Sequence, residues 1–100
     1  MNKHDRRFDV VIWGAAGFTG KLTAEYLLKQ YGLNGQLRWA IAGRNAEKLE
    51  QVRQDIAVST GIKAENLPIL VGEANDQVFM NEMAASTRVV CSTVGPYARF

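Results

Sequence analysis

The sequence has little from which covalent or metal-borne chemistry could be built. Its 100 residues include one cysteine, Cys91, one histidine, His4, and two prolines. A single cysteine excludes an internal disulfide framework, and Cys91 reads as a small core residue of a buried strand. A single histidine in a terminal arm leaves no Ser/His/Asp set to assemble, and no residues have metal-ligand spacing, so no metal is expected. Long apolar runs are missing too. None approaches the roughly 20 residues of a membrane span, and the first apolar stretch is too short for a signal segment and ends in glycine. Excess charge of one sign is also lacking. The net charge is +2, too small to argue for nucleic acid or an anionic membrane. The one basic cluster, Lys3 to Arg7, reads as part of a flexible N-terminal arm over residues 1–7. A cytoplasmic protein with no nucleic-acid partner is expected.

What the chain does contain is glycine in one informative place. The run Val10-Val11-Ile12-Trp13 stops at Gly14, and Gly17 and Gly20 follow at intervals of three. A strand buried on both faces of a parallel sheet is expected to be almost continuously apolar. Gly14 would permit a tight turn off that strand, Gly17 a close approach of backbone to phosphates, and Gly20 close packing of helix on strand. The N–H groups of the first helical turn and the positive end of the helix dipole would then face a pyrophosphate. The spacing is G-x-x-G-x-x-G, not the G-x-G-x-x-G of the NAD fingerprint. The backbone of Gly14, Ala15, Ala16, Gly17, Phe18, Thr19 and Gly20 is the expected phosphate loop.

The rest reads as repeating β-α units, with 47% apolar and 22% charged residues, in the range of one small globular domain. Strands are expected at 8–13, 37–42, 67–71 and 88–93. Helices are expected from Phe18 to Tyr31 (inner face Leu22, Leu27, Leu28, Tyr31), after an Asn45 cap until just before Gly61 (Leu49, Val52, Ile56), and after an Asp76 cap (Val78, Phe79, Met83). Strands alternating with helices imply a Rossmann-like α/β fold. The parallel sheet would have about four strands in order 3-2-1-4, with helices on both faces and a ligand over the strands' carboxyl ends.

The end of the second strand discriminates between dinucleotides. NAD-specific folds place a carboxylate there for the ribose 2′-hydroxyl. Here Ala40 to Asn45 contain none, and Arg44 stands in its place. A guanidinium matches a 2′-phosphate in charge and donor geometry, so NADP(H) is the expected cofactor. Asn45 could assist that phosphate or only cap the helix. Asn75 could reach the adenine edge, but helix capping by Asn75 or Asp76 explains the same residues. Thr93, Val94, Gly95 and Pro96 are expected beside the ribose and nicotinamide, with Tyr97 packing on the ring or on the domain surface.

Three segments, Phe8 to Gly20, Leu37 to Arg44 with Lys48-Leu49, and Val89 to Tyr97, resemble the NADP-binding domain of the saccharopine dehydrogenase-like oxidoreductases, in the branch that includes trans-acting enoyl reductases. The likeness runs from about Phe8 onward. Ala16 departs from it, where the family usually has Thr. Members of that family run to several hundred residues. The resemblance therefore implies that residues 8–100 are the N-terminal part of a cofactor domain, with the remaining strands and the substrate domain absent. It also implies hydride transfer between NADPH and a small organic or acyl substrate by the full-length protein, while the 100-residue chain is not expected to be active alone. The alternatives are a non-catalytic NADP-binding sensor or regulatory module, or an inactive fragment. The unpaired side of the fourth strand could also support a homo-oligomer.

Overall fold

A computed structural model describes residues 7–33, 35 and 37–92. Strand β1 (Phe8–Trp13) leads into helix α1 (Phe18–Tyr31), then β2 (Trp39–Gly43), α2 (Ala46–Thr60), β3 (Ile69–Val71), α3 (Gln77–Ser86) and β4 (Thr87–Ser92). The four strands form one sheet in the order β3-β2-β1-β4. All three pairings are parallel, with Ile12 opposite Ile41 and Cys91, and Ile41 opposite Ile69. The expected fold class and strand order are those observed. Among the described residues, no helix is long and apolar enough to cross a membrane.

The sheet carries a core on each face. On one, Ile12, Trp39 and Ile41 pack with Ala24 and Leu28 of α1 and with Leu49, Val52 and Ile56 of α2. On the other, Val11, Trp13, Ala40 and Ala42 meet Phe79, Met80 and Met83 of α3. Ile12 and Ile41 are wholly buried, and side chains of this size each contribute roughly 1.5–3 kcal/mol when removed from water. Polar ties reinforce the first face. Lys21 pairs with Asp55 at 3.0 Å, linking α1 to α2. Arg53 pairs with Glu50 and donates to the carbonyls of Glu65 and Leu67 at 3.1 and 2.9 Å, fixing the approach to β3.

Several local expectations are corrected. The β2 strand begins at Trp39: the Arg38 carbonyl accepts from the Asp9 and Val10 N–H groups at 2.6 and 3.3 Å, while its own N–H donates to the Asp9 carboxylate at 2.9 Å. The β3 strand begins only at Ile69: the Leu67 N–H closes a turn onto Ala64 O, and Pro68 has no N–H to give. On α1, Leu22 and Tyr31 are about half exposed, and the inner face uses Gly20, Ala24 and Leu28. On α3, Val78 is exposed and Met80 takes its inward place. The β4 strand is not a buried strand. Neither core takes a hydrophobic side chain from it, Val89 and Val90 are exposed, and Cys91 is only half-buried.

Candidate functional site

A cavity of about 700 Å³ opens at the carboxyl ends of β1, β2 and β3. That volume lies in the range of small-molecule and cofactor sites. Three segments line it. The end of β1 supplies Trp13, Gly14, Ala16 and Gly17, the end of β2 supplies Gly43, Arg44, Asn45 and Lys48, and the turn after β3 supplies Glu73 and Ala74. The strand order alone brings these segments together, since the carboxyl ends of parallel neighbours share one edge.

The glycine loop has a defined hydrogen-bond pattern. Gly14 has φ 82°, a conformation strained for any residue with a Cβ. The N–H groups of Gly14 and Ala15 both donate to Ala42 O, at 2.9 and 3.2 Å, and that of Gly17 donates to Gly14 O at 3.0 Å. These bonds tie the loop to β2 and occupy three of its donors. Of the other residues expected to hold phosphate, Ala16 lines the cavity, whereas Phe18 and Thr19, at the start of α1, are not among its lining residues. Helix α1 starts from Gly17 with no side-chain cap and no acidic residue in its first turn, so the donors at its amino end are met by no side chain. Ala15 is fully buried and Gly20 is buried against the core side of α1, so both shape the loop from behind.

The other two helices begin differently. Asn45 Oδ1 accepts from the Lys48 N–H at 3.1 Å, capping α2, and Asp76 accepts from the Phe79 N–H at 3.1 Å, capping α3. Asp76, not Asn75, is therefore the cap, and Asn75 is exposed and does not line the cavity. Glu73 and Ala74 hold the place beside the cavity that sequence reasoning gave to Asn75. The register of a five-residue loop carries no periodic signal by which they could have been chosen. Thr93, Val94, Gly95, Pro96 and Tyr97 lie outside the described residues.

Close packing sets the walls. A Cβ at Gly43 would meet Leu49 Cδ2 at 3.4 Å, an ordinary contact, so β2 and α2 come within van der Waals reach there. Trp13 packs on Phe79, their rings 6.0 Å apart and tilted by 50°. The cavity's charge is divided. Arg44 and Lys48 come from the β2–α2 segment and Glu73 from the turn after β3, and none of the three forms an ion pair with a described residue. Lys48 lies in the first turn of α2 beside Glu47, an acidic residue of the sign that the helix dipole favours there.

A Rossmann-like parallel α/β unit, with a cavity built on a glycine loop at the carboxyl edge of its sheet, is the class that fold and site define. No protein-family model matches the chain. Over all 100 residues it is 42% identical to a putative trans-acting enoyl reductase of Mycobacterium tuberculosis and 40% identical to a trans-acting enoyl reductase of Mycobacterium bovis. Over 91 residues it is 42% identical to a lipid droplet localized protein of Caenorhabditis elegans. The chain is thus a homologue of proteins named as trans-acting enoyl reductases, and it spans about a fifth of the length of these relatives, 21–22%.

Proposed function

We propose that the chain is the cofactor-binding part of an NADP(H)-dependent oxidoreductase of the saccharopine dehydrogenase-like group, acting in enoyl reduction on an organic or acyl substrate, in the cytoplasm. The observation that carries this reading is the cavity that joins the glycine loop to Arg44 while the end of β2 offers no carboxylate. The relatives named as enoyl reductases support the reaction class.

The residues present fit the cofactor. An added Cβ at Gly17 would meet Gly14 O at 3.4 Å, an ordinary contact. The fold itself would therefore accept a Cβ there, and the role proposed for Gly17 is to let a phosphate come close to the loop. The Ala16, Phe18 and Thr19 N–H groups, with the amino end of α1, would hold the pyrophosphate. Arg44 would pair with the 2′-phosphate through its guanidinium fork. When bound, the nicotinamide supplies the hydride, and the chain's part is to bind and orient it. Thr93 to Pro96 would approach the ribose and nicotinamide. The name of the nematode relative gives a location and not an activity, which favours one second reading, a non-catalytic NADP-binding module.

Titration with NADPH and NADH, followed by nicotinamide fluorescence, tests the cofactor assignment. Saturable binding with NADPH preferred by about tenfold or more is expected, and Arg44→Ala should erase the preference. A folded chain that prefers NADH, or binds neither, would refute it.

A further inference from the structure

Helix α1 is apolar on two sides, and the described fold uses only one of them. Gly20, Ala24 and Leu28 are its buried residues. Phe18, Leu22 and Tyr26 each stand two residues earlier, roughly 200° around the helix at about 3.6 residues per turn. They recur every fourth residue, so they form one stripe on the side away from the sheet. Phe18 is 80% exposed, Leu22 49% and Tyr26 58%. Helix α2 does not cover them. Its ties to α1 run from Lys21 to Asp55 at 3.0 Å and from Ser59 to Glu25 at 2.6 Å, on the flank between the buried side and the stripe. The exposed side of α2 is different in kind, with Glu47, Gln51 and Gln54 along it. A helix that carries apolar residues on both sides belongs between two layers.

We propose that this stripe is a docking surface inside the full-length protein, covered by an apolar-faced segment from the part of that protein outside these 100 residues. Length, area and position choose that occupant. The chain spans 21–22% of its curated relatives, so about four-fifths of their length has no counterpart here. The three side chains offer on the order of 400 Å², about half of the roughly 800 Å² that each partner brings to a stable interface. That is too little to hold a second copy or a separate protein by itself. A segment tethered in the same chain docks at a high effective concentration, so a patch of this size suffices for it. Phe18 directly follows Gly17, which lines the cavity, so a segment lying along the stripe ends at the cavity's rim. Lys29 closes the other end of the stripe with an exposed charge. This docking is independent of which dinucleotide the cavity takes.

The test is thiol labelling of the native full-length protein in a Cys91→Ser background, which removes the chain's own cysteine. Single cysteines are placed on the stripe as Leu22→Cys and Tyr26→Cys, and on the outside of α2 as Val58→Cys, where the native side chain is 85% exposed. Circular dichroism confirms that each variant is folded, and labelling in urea sets the rate for a free thiol. Val58→Cys should react at close to its urea rate. Leu22→Cys and Tyr26→Cys should react at least about tenfold more slowly, by the same factor at every protein concentration. Stripe thiols that react within about threefold of Val58→Cys would overturn the docking. Protection that fades on dilution would assign the stripe to a second copy and overturn it equally.

Discussion

Replacing Gly72 by alanine probes the joint between the sheet and the cavity. Gly72 follows β3, and its N–H donates to Gly43 O at 3.0 Å. An added Cβ would lie 2.5 Å from both Cδ atoms of Phe79, far inside van der Waals contact. The obstacle is the base of an aromatic ring and not the free end of a flexible chain. Phe79 cannot retreat without disturbing its contact with Trp13, which lines the cavity. Overpacking of this kind costs about 1–3 kcal/mol, a large share of the roughly 5–15 kcal/mol that holds a small domain together. A loss of about 2 kcal/mol should lower the melting temperature by roughly 8–16 °C, read by circular dichroism. If the ring is the cause, Phe79→Leu should absorb the extra methyl. The double variant should then lose at least about 1 kcal/mol less than the two single losses together. A Gly72→Ala melting temperature within about 2 °C of wild type, or a penalty unchanged in the Phe79→Leu background, would refute the reasoning.

Two other outcomes follow from local geometry. Asn45→Ala removes the α2 cap and should lower stability by about 1 kcal/mol, while Asn45→Asp should preserve it; urea midpoints at a common slope read both. At Asp9, the backbone N–H of Arg38 first, and then its guanidinium, hold the carboxyl below its usual value. The folded state thus favours the charged form, so the stabilisation is complete above the unfolded value of about 3.9 and fades as pH falls through the lower folded value. Asp9→Asn should cost about 1 kcal/mol at neutral pH, discounted for solvent, and its gap from wild type should close on acidification; a gap that stays constant with pH would count against this.

Much of the architecture was legible because its signals are local. The α1 and α2 boundaries match the structure at both ends, since Gly17 and Gly32 bracket one helix and Asn45 and Gly61 the other. The sheet order followed from β-α alternation and handedness. Less legible was the rotation of each helix about its axis. Leu22 and Val78 have the hydropathy of core residues yet lie exposed, while Ala24 is buried beside Gly20, whose close packing on the sheet was expected. The apolar face of α3 was similarly ambiguous between Val78 and Met80. At the cavity, the glycine loop and Arg44 were visible because strand ends announce themselves. Lys48 entered only through the family resemblance, without a role, and Glu73 was passed over for Asn75: one depends on which face of α2 turns toward the opening and the other on a loop's path.

The pairing of β1 with β4 also constrains how the chain is made. Phe8 lies opposite Thr87, so the central strand finds one of its two neighbours only some 80 residues after it has itself been synthesised. At ordinary translation rates of about 5–20 residues per second, that interval is roughly 4–16 s. During it, β1 can pair with β2 alone, and its other row of backbone donors and acceptors stays open to foreign strands. The nascent chain is thus most vulnerable while its future centre is still an edge, and factors that shield emerging polypeptide would matter most in that window.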